Sequence, residues 1–506
     1  MPRFTIPALT LLAPLLPAQA TVNFGPPVNP FTSTGSINGT SLDVSGNTYD
    51  VLYANNGVTS FQRSDDAGAT WTGPITLGSS PTFQPVVRRS GTLLFAAHCV
   101  GNGASADLVL QRSITPGSFL PPRVFPARSP SNSVANPFLF VDPHSGNVHL
   151  TWRENTNTDP AFHVMHSVST DQGASFSSPV DVSMNAAGTQ TKSPTLTVTQ
   201  SGRIFAAFLQ HNLGATTGPI VVKASDDLGL TWQPRPDLVT IQSVGLFGRL
   251  ELGYARRLEA DHLYAAYTDL AGGPQADLLF RHSTDDANSF SLQNVTGTPS
   301  QADRNATLRC NGEIVVLGAE TIDPATSQFT ALVATSGNGG ASFTTQLLPN
   351  VAGAVSQTSL GYDGNRCAVA RVFGSPSQLW TASTNRMTRF CQERVGGCGA
   401  PGNPTWFARG TLCNDPQAVL DTQTPGALGV IGLATGLATV PFTFLGCTVD
   451  LDLATVITDI VVTSAAGQAA ITIPSTLPPG LLAHLQVVLL LPLVVSSSSL
   501  AVRNAP

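Results

Sequence analysis

The feature that most narrows what this chain can become is an octapeptide of the form Ser-x-Asp-x-Gly-x-Thr-Trp that returns along its length. The first copy is Ser64, Asp66, Gly68, Thr70 and Trp71. Ser169, Asp171, Gly173, Ser175 and Phe176 repeat it, as do Ser225, Asp227, Gly229, Thr231 and Trp232. A weaker copy is Ser283, Asp285, Ala287, Ser289 and Phe290, and another, Ser336, Asn338, Gly340, Ser342 and Phe343, has Asn in the acidic place. Ser113–Phe119 is one residue short, and Ser383–Phe390 keeps only the frame. From serine to serine the spacing is 47–58 residues, which is a repeat rather than coincidence.

Each residue type has a reason. Short Asp and Ser side chains hydrogen-bond turn backbone and close a hairpin locally. The glycine accepts the positive φ that such a turn needs. The terminal aromatic ring begins the next strand and wedges between neighbouring sheets. The box aspartates are therefore read as fasteners, not as catalytic carboxylates.

Each box sits late in a unit of shared plan. A short strand such as Pro194–Val198 opens it, and a polar turn leads to an apolar strand such as Arg203–Leu209. A variable loop then leads to a third strand, Ile220–Ala224 in this unit, which the box turns into a fourth. Four short antiparallel strands per repeat make a propeller blade, and a ring of blades covers faces that one sheet cannot bury alone. The expected fold is all-β: a β-propeller over residues 21–395, of seven blades or alternatively six, followed by a small β-sandwich over 398–506.

The flanks differ in character. Arg3, the apolar stretch Phe4–Pro17 and the small-x-small triplet Ala18-Gln19-Ala20 form a signal-peptide pattern over residues 1–20. Export to the cell surface or medium, with cleavage near Ala20, is the expectation. The seven cysteines are then an odd number in an oxidising compartment, and disulfides are their expected use. Cys398 and Cys447 are a possible bridge, with Cys413 as competitor. Beyond Gly396-Gly397 no box occurs, and strands are expected at Leu428–Ile431, Phe442–Leu445, Ile457–Thr463, Ala469–Ile473 and His484–Leu491. The apolar run Leu485–Val495 is too short to span a bilayer and reads as a buried strand. This tail is similar to the small β domains that end many exported bacterial proteins.

Charge and topology filter the function. Charged residues make up 11% of the chain and the net charge is −6, so no basic face is offered to nucleic acid or anionic lipid. No cysteine or histidine spacing matches a metal motif, and no cofactor motif is present. Because the boxes join strands three and four, they mark one face, and the loops between strands two and three and between blades mark the other. The mouth-facing candidates are Gln84, Asn136, Lys192, Arg249, Arg304 and Gln357 at blade starts, and His98, Arg153, Glu154, His211, Asp269 and Glu320 after the second strands. Lys192, Arg153, Arg249, Glu251 and Arg304 are the ligand-binding candidates, since Arg forks pair with carboxylates in bidentate fashion. Glu320, Glu154 and Asp269 are the candidate acids or bases.

The run of boxes resembles the BNR-repeat propellers, the superfamily that includes the sialidases, over about residues 23–393. That resemblance implies the hairpin and the fold; it does not by itself imply activity. A sialidase would also carry an early Arg-Ile-Pro motif. Here the corresponding stretch reads Ser36-Ile37-Asn38, with no arginine between Arg3 and Arg63. Tyr254 and Tyr267 lie in no motif that marks either as a sialidase nucleophile. The favoured expectation is a secreted propeller that binds glycans, glycoproteins or a protein surface. An exo-acting glycoside hydrolase of sialidase type and a structural or adhesion protein are the alternatives.

Overall fold

The computed structural model describes residues 24–383, apart from short loop stretches, and beyond 390 the strands alone. Residues 1–23, and with them the expected signal peptide, lie outside the described residues. No described residue is helical, and no helix is long and apolar enough to cross a membrane.

Seven antiparallel sheets form the propeller. The first blade is Ile37–Ser45, Thr48–Asn55, Val58–Ser64 and Ile75–Gly78, paired in that order. The third to sixth blades repeat the plan; the fourth, for example, is Thr189–Val198, Ile204–Asn212, Gly218–Ser225 and Gln233–Ile241. The second blade splits its outer strand into Ser118–Phe119 and Arg123–Phe125, both paired with Ala106–Thr115. Here the degraded box makes no box turn: the Ser113 hydroxyl bonds the Thr115 carbonyl.

The seventh blade corrects the reading of Ser383–Phe390 as a box hairpin. Its strands Val355–Tyr362, Cys367–Phe373 and Gln378–Ser383 take their fourth member from the N-terminal Val28–Thr32, in register Phe31↔Leu379 and Thr32↔Gln378. Phe390–Glu393 pairs instead with Leu500–Arg503. The ring is closed by joining the two ends of the propeller segment, which removes the open edges a linear array would leave.

Five boxes adopt one geometry. In the first, Ser64 Oγ donates to Asp66 Oδ1 at 2.8 Å and accepts Gly68 N–H at 2.8 Å. Asp66 accepts the Thr70 N–H at 2.8 Å and the Thr70 hydroxyl at 2.6 Å, and Trp71 Nε1 donates to the Gly68 carbonyl at 3.1 Å. These bonds, led by that from the Thr70 hydroxyl, lower the Asp66 carboxyl to about 2. In the sixth blade Asn338 keeps the geometry by reversing one bond, its Nδ2 donating to Ser342 Oγ at 2.9 Å. The core lies between blades, in clusters such as Phe95, Leu110, Leu139, Leu150, Trp152 and Met165 at the junction of the second and third.

Past residue 390, strands occupy Leu428–Ala434, Leu437–Phe444, Ile457–Val462, Gln468–Thr472 and Leu482–Leu491, close to the expected positions. The side chains there, including Cys391, Cys398, Cys413 and Cys447, lie outside the described residues, as does any sandwich packing. Within the propeller, Cys99 and Cys310 form no disulfide, contrary to the use expected of them: Cys99 is buried and Cys310 Sγ lies 3.2 Å from the Tyr254 carbonyl.

Candidate functional site

The innermost strand of a blade has one edge paired and one edge facing the channel axis. Backbone N–H groups on that free edge need partners from elsewhere. They find them on the adjacent blade. Ser41 Oγ accepts the N–H of Val87 at 3.1 Å, Thr195 Oγ1 that of Leu252 at 3.1 Å, and Ser359 Oγ that of Leu42 at 2.9 Å. At the equivalent position of the fifth blade a carboxylate does the same work: Glu251 Oε2 accepts the N–H of Leu308 at 2.7 Å.

Glu251 is fully buried and gathers cations. Arg249 Nη2 lies 2.5 Å from Oε1 and Arg309 Nη1 lies 2.6 Å from Oε2. Burial opposes its ionisation, but Arg249, Arg309 and Arg88 outweigh it and hold the carboxyl below its ordinary value. Burial and Arg309 together lower Arg88 to about 9. Arginines thus converge on a carboxylate, but the carboxylate belongs to the protein itself.

Two residues nearer the mouth, the inner strands bulge. Register breaks between Phe83 and Val86, Ala135 and Phe138, Lys192 and Thr195, and Arg304 and Thr307. At these bulges Gln84, Asn136, Ser193 and Asn305 take φ of 52°, 48°, 49° and 58°, a conformation rare for residues other than glycine. Gln84, Asn136 and Ser193 each precede a proline, which has no N–H to give a ladder. These three, Asn305 and the turned Gly39, with Arg249 and Gln357, ring a cavity of about 270 Å³ to which every blade contributes. The ring is held sideways, for Asn136 N–H donates to Gln84 Oε1 at 2.5 Å and Ser193 Oγ to the Gly248 carbonyl at 2.9 Å.

Glu320 reaches this cavity from the second strand of the sixth blade, Ile314–Asp323. It is fully buried, accepts Arg304 Nε at 2.6 Å and Asn305 Nδ2 at 3.1 Å, and receives the Thr358 hydroxyl at 3.4 Å. Burial outweighs these partners and raises its carboxyl above the ordinary value. The Arg304 guanidinium is also stacked 3.7 Å from the Phe329 ring centroid.

Of the residues singled out in the sequence, Gln84, Asn136, Arg249, Gln357 and Glu320 line the cavity. Glu251 lies beneath it, tied to Arg249. The others do not line it. Lys192 Nζ donates to the Val244 carbonyl at 3.1 Å, and Arg153 stacks 4.2 Å from the Phe162 centroid while bonding Asn136 Oδ1 at 2.8 Å. Buried Glu154 accepts Trp152 Nε1 at 3.2 Å. Asp269 accepts the Gln242 N–H at 2.9 Å and the Ser243 N–H at 3.2 Å, fixing a loop backbone. Buried His98 has both ring nitrogens unpartnered, and His211 Nδ1 lies 2.9 Å from the Asn212 carbonyl. Gly39, Ser193 and Asn305 were missed; the polar-residue–proline step at strand starts marks three of the four bulges and was the signal that could have found Ser193.

This ring and its supporting sheets define a seven-bladed propeller with a polar site at one mouth of its channel. Residues 105–348 match the family model described as a BNR repeat-like domain. Four of the five box hairpins, at Ser169, Ser225, Ser283 and Ser336, lie within that match. No curated protein matches it. Similar solved structures include a protein of unknown function from Dyadobacter fermentans, 16% identical, covering 72% of this chain and 99% of its own at a TM-score of 0.45. An α-L-arabinanase of Penicillium chrysogenum complexed with arabinobiose is 14% identical, covering 59% and 94% at 0.43. The sialidase of Trypanosoma rangeli is 10% identical, covering 93% and 94% at 0.46.

Proposed function

We propose that the channel mouth binds one neutral sugar unit of a glycan or glycoprotein and does not hydrolyse it. The observation that carries this reading is a ring of lining residues, one from every blade and four of them polar residues turned to positive φ, around a cavity near the small end of ligand-site volumes. Amide and hydroxyl groups of this kind suit sugar hydroxyls. Strained backbone repeated at one ring points the same way, because such conformations persist where function holds them. The charge state argues for a neutral unit: Arg249 is committed to Glu251 and Arg304 to Glu320. Hydrolysis calls for two carboxylates about the scissile bond. Among the described lining residues Glu320 is the only carboxylate, and none is a tyrosine or histidine.

A second reading, an exo-acting glycoside hydrolase, draws on Glu320 alone. A carboxyl raised by burial has the property wanted of a general acid.

A glycan array followed by calorimetry tests the first reading, with sialosides, arabinosides and neutral hexosides as arms. The Gln84→Ala/Asn136→Ala double variant is expected to weaken a bound neutral glycan at least about tenfold, the loss of one good polar contact or more. Absence of any glycan binding would sink the proposal. Turnover of an aryl glycoside that is abolished in Glu320→Gln would replace it with the second reading. Turnover surviving in both Glu320→Gln and Glu154→Gln would remove both carboxylates as candidates. Export is part of the proposal and rests on the N-terminal pattern; recovery from culture medium of a chain beginning after Ala20 is the expected result.

A further inference from the structure

We infer that the seam between the sixth and seventh blades holds a separate binding site for a small carboxylate with an apolar body. A cavity of about 320 Å³ lies there, lined by Phe24, Gln346, Leu348, Val351, Arg371 and Ala382, with Pro26, Pro27 and Pro349 beside them. Its walls are apolar apart from two groups.

The first is Arg371, on the second strand of the seventh blade and 1% exposed. Its Nη1 donates to the Pro349 carbonyl at 2.8 Å, and the guanidinium lies 5.2 Å from the Phe373 centroid. Its Nε is buried and has no partner, and no described carboxylate pairs with it. Burial lowers its pKa to about 10, so it carries its charge at neutral pH. Arg89, Arg249, Arg304 and Arg309 each have a carboxylate; Arg153, like Arg371, has none among the described residues but bonds the Asn136 side-chain amide. A guanidinium buried without a counter-charge is costly. An anion supplied from outside removes that cost.

The second group is Gln346, whose Oε1 is also buried and unpartnered. A half-turn of its amide presents the NH₂ to the same space, giving a carboxylate one charged and one neutral donor. Phe24, Leu348 and Val351 leave room for a short chain or a ring rather than for hydroxyls. Sulfate or phosphate, hydrated on every side, fits this lining less well.

Benzoate is the probe, with benzamide as its uncharged counterpart and chloride at matched ionic strength. Millimolar benzoate is expected to raise the melting temperature of the full chain by at least about 2 °C through binding to the native state alone. Benzamide and chloride should not. Arg371→Leu should abolish the shift. Because that variant changes a buried side chain, Val351→Trp provides an independent arm: it fills the cavity from a position 39% exposed and should also abolish the shift. No shift in the unaltered protein overturns the inference, as does an equal shift with benzamide. A shift retained in either variant overturns it too. The mouth variants Gln84→Ala and Asn136→Ala should leave the benzoate response intact, so that failure here and failure of the glycan reading are told apart.

Discussion

Gly229, in the box of the fourth blade, lies against the imidazole of His166 in the third: a Cβ on Gly229 would stand 2.3 Å from His166 Cε1. Boxes therefore fasten blades to each other as well as closing their own hairpins. Gly173 faces Phe95 of the second blade and Gly340 faces Phe280 of the fifth in the same manner, at 2.7 Å and 2.3 Å. Gly229→Ala should cost about 1–3 kcal/mol by overpacking, measured by urea unfolding. The backbone alone does not set that cost, because Ala287 occupies the same box position with φ of 61°.

Asp227→Asn and Asp227→Ala should differ. Asp227 accepts the Thr231 N–H at 2.9 Å and its hydroxyl at 2.6 Å, and Asn338 shows that an amide can replace both bonds by reversing one. Thermal unfolding should place the Asn variant close to the parent and the Ala variant clearly below it. Equal melting temperatures for the two would remove the box hydrogen bonds from the account of stability.

Glu251→Gln should be among the most damaging substitutions in the channel. It removes the charge that Arg249 and Arg309 share at 2.5 Å and 2.6 Å. Stranding a fully buried charge costs about 3–5 kcal/mol, and the partial exposure of Arg249 and Arg309 sets that as the upper end of the loss, readable from the denaturation midpoint. Glu251→Gln/Arg309→Met, which takes away one stranded charge as well, should recover part of the loss.

Acid should weaken the fold well above the carboxylate range. Burial lowers His98 and His149 to about 4 and, with His149 alongside, His166 to about 3. Their unfolded values lie near about 6.5. The folded pKa is the depressed one, so the unfolded chain binds more protons between the two values. The histidine contribution is thus full above pH 6.5 and falls as pH drops toward 4, by about 1.4 kcal/mol per pH unit for each, offset in part by Asp50, whose carboxyl burial raises to about 6. His98→Leu should make that fall shallower. The box aspartates, lowered by their Thr and Ser partners to about 2 in Asp66 and Asp227, add loss only below pH 4.

Removing Val28–Thr32 should open the ring. That strand fills the outer place of the seventh blade through Val28↔Thr381, Phe31↔Leu379 and Thr32↔Gln378. Chains beginning at Gly35 should unfold at lower temperature and be cut by protease within 355–383 first. A truncated chain with unchanged melting temperature would show that closure contributes nothing.

Much of this fold was legible in one dimension, because a box closes through residues four apart or fewer. The spacing of the boxes therefore pointed to seven blades, with six as the alternative. The seventh blade was misread because its fourth strand comes from more than 300 residues away, as the pairing of Val28 with Thr381 shows. Site residues were read with mixed success for a simpler reason. Lys192 and Arg304 are one residue out of phase with Ser193 and Asn305, and a bulge inserts one residue and turns every later side chain to the other face.

Composition, box spacing and strand pattern determined an all-β ring of blades with its fasteners on one face, since each rests on short-range hydrogen bonds and two-residue alternation. Only the tertiary structure decided what the charges do. In the sequence Glu251 is a ligand-binding candidate and Glu320 a candidate acid or base, yet one stitches two blades at the axis and the other supports the wall of the mouth. Which carboxylate meets which guanidinium, and whether either meets water, depends on the closing of the ring. No local pattern carries that information.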